Sequence, residues 1–195
     1  MPLLKLFSNK VIIETIETIE NFNDLNEDLK KFGYNKQIID NFNNSEDVID
    51  GWKSDKLNLN DNPIIFKLLK NINQYFVKYV SIAKLNYSNK IIFNKTQVNI
   101  NKKNQWSEFS FQPDNLITGI YFVKSDDNMK ANLMIRSDNI YTDMLSDIYK
   151  PNVFGYPVNS SSVGKIILFP SFLEYSIQAN NSEEDLIFYT ISASL

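Results

Sequence analysis

The spacing of apolar residues changes period near Lys90, and that change constrains the fold more than any other feature of the chain. Before it, apolar residues recur every three or four positions, as one face of a helix requires. After it, β-branched and aromatic residues alternate with polar ones between turn signals, as strands do. The clearest helical stretch opens at Asp61-Asn62-Pro63, where a capping side chain precedes a proline suited to the first helical position. Ile64, Ile65, Leu68, Leu69, Ile72, Tyr75, Phe76, Tyr79 and Val80 then share one broad face, opposite Lys67, Lys70, Asn71, Gln74 and Lys78. The spacing predicts a helix from Asn62 to Leu85 packed along the outer face of a sheet.

Further elements follow from the same reasoning. Val11, Ile12 and Ile13 predict a short strand over 10–15. Asn23-Asp24 offers a cap before a helix carrying Leu25, Leu29 and Phe32, and a second, weaker helix is expected over 35–42. Strands are expected at 90–100, 106–112, 117–124, 131–136, 164–169, 173–178 and 185–194, with a hairpin turn at Asp126-Asp127-Asn128. Ser137 to Gly164 reads as a long connection, marked by Pro151, Gly155, Pro157 and Ser160-Ser161-Ser162. No internal repeat is visible. Regularly spaced short strands suggest a sandwich or barrel. A single domain over 1–195 is expected, with a mainly helical N-terminal layer over 1–85 and a β core over 86–195.

Composition excludes several chemistries. The chain has no histidine and no cysteine. That removes Ser-His and Cys-His nucleophile pairs, thiolate metal sites and disulfides. There is no P-loop and no Gly-x-Gly-x-x-Gly. A net charge of −3, with Arg136 as the lone arginine, gives no field for nucleic acid. The 27 asparagines, with many lysines and isoleucines, fit an AT-rich genome better than a chemical need for amides. Met1 to Lys10 lacks the features of a signal peptide, and no apolar stretch approaches the length of a membrane span. A soluble cytoplasmic protein is expected.

Phe109-Ser110-Phe111-Gln112-Pro113, then Thr118-Gly119-Ile120-Tyr121-Phe122, then Gly164-Lys165-Ile166-Ile167-Leu168-Phe169-Pro170-Ser171-Phe172-Leu173-Glu174-Tyr175-Ser176-Ile177 occur in that order. Gly51-Trp52-Lys53-Ser54 stands upstream and Asn180 downstream. In this order and spacing the blocks resemble a family of iron(II)/2-oxoglutarate oxygenases found in marine bacteria and their phages, with Gly51 to Ser54 matching its Gly-Trp-x-Ser element. The resemblance covers most of the chain. It implies a mostly β, α+β fold: a double-stranded β-helix, or jelly roll, with the helical layer on one sheet.

The family holds iron(II) with a His-x-His-Pro element and a later histidine, and grips 2-oxoglutarate with an arginine near the start of the last strand. Imidazole and carboxylate ligands on one face leave open positions for 2-oxoglutarate and oxygen. The matching positions here are Ser110, Gln112, Tyr175 and Leu186, and all four depart from the pattern. Arg136 stands on a different strand. Glu108, Asp114 and Glu174 lie near the relevant strand ends, where ordinary rim charge is the simpler reading than an all-oxygen site for magnesium, calcium or manganese. Tyr175 reads either as a plug filling the metal's space or as a pocket residue binding a ligand through its hydroxyl. Glu183-Glu184-Asp185 reads as a solvated loop.

The resulting expectation is a degenerate, catalytically inactive relative of the oxygenases, with no cofactor and no bound metal. Its role is expected to be that of a phage virion or assembly component, partnered by other protein subunits or by copies of itself, with neither nucleic acid nor membrane. A jelly roll binding a small molecule or glycan at the old pocket, with Trp106, Tyr121 and Tyr175 for stacking, is the alternative. An oxygenase with an atypical site is a further one.

Overall fold

The structure is a computed structural model that describes residues 3–6, 9–15, 22–43, 51–57, 62–85, 90–136 and 153–195. Eight strands make two facing sheets: β4 (Ile92–Asn101), β5 (Ser107–Ser110), β6 (Ile117–Lys124), β7 (Asn132–Arg136), β8 (Val153–Pro157), β9 (Lys165–Pro170), β10 (Glu174–Ile177) and β11 (Leu186–Ser194). Three short strands, β1 (Leu3–Leu6), β2 (Asn9–Thr15) and β3 (Trp52–Lys53), extend the larger sheet. Its order is β1-β2-β9-β6-β11-β4-β3, and the smaller sheet runs β5-β10-β7-β8. From β4 to β11 the chain crosses between the sheets at every step except β7 to β8, and every pairing among the described residues is antiparallel. This is the expected jelly roll, predominantly β with a helical layer.

That layer covers the outer face of the larger sheet. Helix α2 (Pro63–Ala83) begins where the sequence predicts, with the Asn62 side chain accepting from the N–H groups of Ile64 and Ile65. It ends at Lys84 in the left-handed region, φ 57°, slightly before the expected Leu85. Its buried face, from Ile65 to Val80, joins a core with Val98, Ile100, Tyr121, Ile187, Tyr189 and Ile191. Helix α1 (Phe22–Asn43) is continuous, where the sequence suggests two pieces. Tertiary bonds hold it together: Tyr121 Oη donates to Asn26 Oδ1 at 2.9 Å, Tyr189 Oη donates to the Leu29 carbonyl at 2.8 Å, and Tyr34 Oη donates to Asp185 at 2.9 Å. The first two anchor its first half, and the Tyr34 bond stands where the two expected pieces meet. The first two tyrosine hydroxyls are buried, and burial raises the pKa of both above the ordinary range.

A second core lies between the sheets, with Ile120, Phe122, Leu133, Ile135, Ile167, Phe169, Tyr175, Ile177, Leu186 and Phe188. Most expected strands appear within a residue or two of their forecast limits. Strand β8 falls inside the stretch expected to be a connection, because Gly155 and Pro157 read as turn residues. It is an edge strand, where a proline costs no ladder bond to a further neighbour. Much of the rest of that connection, 137–152, lies outside the described residues.

The Gly-Trp-x-Ser element closes the β4 edge. Trp52 and Lys53 pair with Ile100 and Asn99. Ser54 continues the ladder, its N–H donating to the Val98 carbonyl at 2.9 Å while its Oγ accepts from the Val98 N–H at 3.1 Å. Gly51 donates to the Trp106 carbonyl at 2.7 Å, and a Cβ there would lie 1.7 Å from Asn101 Oδ1. Only glycine fits so close to a buried amide. The framework asparagine, Asn180, is a similar latch: its Nδ2 donates to the carbonyls of Asn101 and Glu184 at 3.0 and 2.8 Å.

Two stability predictions follow from these contacts. A Cβ at Gly119 would sit 2.9 Å from Leu168 Cδ2 and 3.0 Å from Phe76 Cζ, where α2 meets the sheet. Gly119→Ala is expected to lower unfolding free energy by about 1–3 kcal/mol through overpacking, read by urea denaturation. Ser54→Ala removes the acceptor for a buried N–H and is expected to cost about 1–2 kcal/mol in the same measurement, with the far-ultraviolet circular dichroism unchanged.

Candidate functional site

Three of the four positions singled out by the sequence converge at one end of the barrel. Ser110, the last residue of β5, pairs with Tyr175 of β10. Gln112 follows just beyond the strand, its N–H donating to the Ser171 carbonyl at 3.2 Å and its Nε2 donating to Tyr175 Oη at 3.0 Å. Both Gln112 and Tyr175 are buried. The Tyr175 ring meets Phe169 edge-on, with centroids 5.7 Å apart. Tyr175 therefore fills space as a plug would, but it also presents a hydroxyl held by an amide. Leu186 is not with them. It begins β11, six residues or about 20 Å of strand from Ser192 at the mouth, and is buried in the inter-sheet core.

The walls of this end come from residues the sequence analysis passed over. On β4, Val98 and Ile100 face the helical layer. Strand alternation turns Lys95, Gln97, Asn99 and Asn101 toward the other sheet. On β11, Ile187, Tyr189 and Ile191 face the helices, so Phe188, Thr190 and Ser192 turn inward. Register sets these in rows: Lys95 beside Ser192 beside Thr118, and Gln97 beside Thr190 beside Ile120. Asn99 Nδ2 donates to Thr190 Oγ1 at 3.1 Å, and the Thr118 and Ser171 hydroxyls are 2.8 Å apart. Gln97 Nε2 donates to the Ser54 carbonyl at 2.8 Å, which ties this wall to the edge clamp.

The result is a polar inner corner within an otherwise apolar barrel. Gln97 and Asn99 are each 6% exposed and Ser192 is fully buried. Gln97 Oε1 and Ser192 Oγ have no hydrogen-bond partner among the described residues. The signal was present in the sequence as the alternation Lys95, Gln97, Asn99, Asn101. It reads, by ordinary patterning, as a solvated face.

The carboxylates near the mouth do not converge. Glu108 and Asp114 are exposed. Glu174 accepts from Arg136 Nε at 2.5 Å, and the Arg136 guanidinium lies over the Phe109 ring at 3.9 Å. Farther off, Glu183 pairs with Lys103, Glu184 with Lys124 at 2.7 Å, and Asp185 accepts from Tyr34. Tyr121 faces the helical layer and is not a stacking surface for the mouth, whereas Trp106 is half exposed.

The residues present do not fit iron(II). The chain has no histidine, and the described residues contain no cluster of three His, Cys, Asp or Glu side chains. Ser110, Gln112 and Tyr175 offer only neutral oxygen and amide groups, poor ligands for that ion. No described helix is long and apolar enough to cross a membrane.

No family model and no curated relative matches the chain. Solved structures do. A prolyl-4-hydroxylase from Pseudomonas putida superposes with a TM-score of 0.64 at 8% identity, covering 97% of this chain and 95% of that one. A viral collagen prolyl hydroxylase from Paramecium Bursaria Chlorella virus-1, solved as a 2OG complex, gives 0.60 at 11% identity, covering 95% and 96%. A prolyl hydroxylase from Trichoplax adhaerens, solved with a hypoxia inducible factor oxygen degradation domain peptide fragment, gives 0.60 at 12% identity, covering 94% and 83%. The likeness shows an oxygenase-like fold. It also overturns the expectation of a non-catalytic phage structural module, because the solved structures that share this fold are oxygenases. The expectation that the chain is not an enzyme falls with it. Departure from the family's ligands does not leave a wholly apolar interior here, since the inner corner of the barrel is polar.

Proposed function

We propose that the chain is an oxygenase-type enzyme that admits a 2-oxo acid co-substrate to the corner between β4–β11 and β5–β10. The observation that carries this reading is the buried polar wall of Gln97, Asn99, Thr190 and Ser192, which leads to the Gln112–Tyr175 pair. An unpaired buried polar group costs on the order of 1–3 kcal/mol, so Ser192 Oγ and Gln97 Oε1 are poor choices for a corner meant only to be filled. A small acid can accept from the Ser192 hydroxyl and from the Gln112 amide. The overall likeness to prolyl hydroxylases supports placing a reaction at this end of the barrel. Because the donor set does not fit iron(II), the co-substrate corner alone supports this reading.

The test is titration of the purified protein with 2-oxoglutarate, followed by ligand-observed NMR, and then an assay of 2-oxo acid consumption with iron(II) or manganese(II) supplied. Saturable binding is expected, weakened by about tenfold in Gln112→Ala through loss of one hydrogen bond near a charged ligand. Binding without consumption would remove the reaction from the proposal, and the absence of both would overturn it.

A further inference from the structure

The two helices of the layer turn one face to the larger sheet and the other to water, and their outer faces differ in charge. Helix α2 carries Lys67, Lys70 and Lys78, with Lys84 at its cap, and no Asp or Glu. Lys78 pairs with Glu14 at 2.9 Å, whereas Lys67, Lys70 and Lys84 form no ion pair among the described residues. Phe66 and Val77 stand among these lysines, 63% and 40% exposed. Helix α1 opens with the opposite sign. Asp24, Glu27 and Asp28 are exposed there. Lys30 meets Glu27 at 3.1 Å, while Asp24 and Asp28 form no ion pair among the described residues. Helical spacing sets Asp24, Asp28 and Ile38 along one stripe. Ile38 and its neighbour Ile39 are 65% and 59% exposed.

The helix dipole favours acids at the start of α1 and a lysine at the end of α2. It gives no reason for Phe66, Ile38 and Ile39 to stand in water, nor for Lys67 and Lys70 in the N-terminal half of α2. The two signs select what covers the layer. A polyanion, whether an acidic membrane or a nucleic acid, is drawn to α2 and repelled by the start of α1 beside it. A second copy related by a twofold axis satisfies both helices. Helix α1 of each protomer then faces α2 of the other, and every match of acid with lysine occurs twice. Helices of 22 and 21 residues, each about 30 Å long and about 10 Å across, together present on the order of 600 Å². That is near the lower end of what each partner gives to a stable interface.

We infer that the outer face of the helical layer is an interface with a second copy of this chain, in which Asp24 and Asp28 of one protomer lie against Lys67 and Lys70 of the other, and Phe66, Ile38 and Ile39 fill the apolar centre. This surface and the polar corner lie on opposite sides of the larger sheet. Dimerisation therefore leaves the corner free and does not depend on the 2-oxo acid reading.

The experiment is sedimentation equilibrium of the full chain across a wide concentration range, at low and high salt. Wild-type protein is expected to show a reversible monomer–dimer equilibrium whose Kd rises about tenfold with salt. Two double variants reverse the charges, one carrying Lys67→Glu and Lys70→Glu, the other Asp24→Lys and Asp28→Lys. All four positions are exposed, so both variants are expected to keep the wild-type circular dichroism. Each alone is expected to dimerise at least about tenfold more weakly than wild type. Mixed in equal amounts, they are expected to pair with each other at close to the wild-type Kd, because acid again meets lysine at both contacts. Wild-type protein that stays monomeric overturns the interface, as does a dimer that both variants form unchanged. Variants that dissociate but do not associate on mixing overturn the pairing of α1 with α2. A monomeric wild type that sediments with phosphatidylserine vesicles, and loses this with Lys67→Glu and Lys70→Glu, overturns the second copy and gives the face to a membrane.

Discussion

Strand β11 is buried along nearly its whole length, and the rest of the molecule is arranged by what its two faces touch. It pairs with β4 on one side and β6 on the other. Its odd-numbered residues, Ile187, Tyr189 and Ile191, supply the floor on which both helices pack. Its even-numbered residues line the space between the sheets. A one-residue slip in register would exchange the two sets and bury Thr190 and Ser192 under α1 and α2. The Tyr189 hydroxyl, bonded to the Leu29 carbonyl, fixes that register against α1. Placement of the inner polar corner is thus coupled to docking of the helical layer, although the two lie on opposite faces of the sheet.

The framework blocks that gave the chain its resemblance can be understood on this basis. Gly51 to Ser54 protects the exposed edge of β4, which would otherwise present free backbone groups. Gly119 lets Phe76 of α2 approach β6. Asn180 ties the loop before β11 to the end of β4 through two carbonyls and accepts from the Ser182 N–H at 2.9 Å. Each is a packing or ladder device with a geometric reason, and none touches the Gln112–Tyr175 pair. Such devices can persist while the residues at the mouth change.

Much of the fold was legible in the sequence because the main determinants are local and periodic. Helix α2 declared itself through the Asn62 cap, Pro63 and nine apolar residues on one face, and the long strands through alternation. Strand β8 was not legible, since it rests on an edge pairing that tolerates Pro157; the continuity of α1 was not legible because its apolar spacing weakens after Phe32, and the bond at that point, from Tyr34 to Asp185, is a tertiary one. The site was half legible. Order and spacing located Ser110, Gln112 and Tyr175, and the structure brings these together. Leu186 matched by spacing yet lies toward the other end of β11. The polar wall of β4 was missed for a definite reason. A strand reading Lys95, Thr96, Gln97, Val98, Asn99, Ile100 has one polar and one apolar face, and patterning assigns the polar face to water. Here the polar face points into the barrel because the apolar one is already claimed by the helices.

That inversion bears directly on what the interior is for. A barrel that has merely lost its chemistry has no reason to keep amides and hydroxyls facing inward, since apolar side chains of similar volume would pack there without unpaired polar atoms. Along β6 and β9 that is what is found, with Ile120, Phe122, Ile167 and Phe169 filling the space. Among the described residues the β4–β11 corner departs from it, together with Thr118 of β6 and Ser171 at its margin, and that corner lies beside the Gln112–Tyr175 pair. Apolar filling and polar lining thus divide the same interior between adjacent strands. A division this local is better explained by a small polar ligand seated at one corner than by a general tolerance of the fold for buried amides.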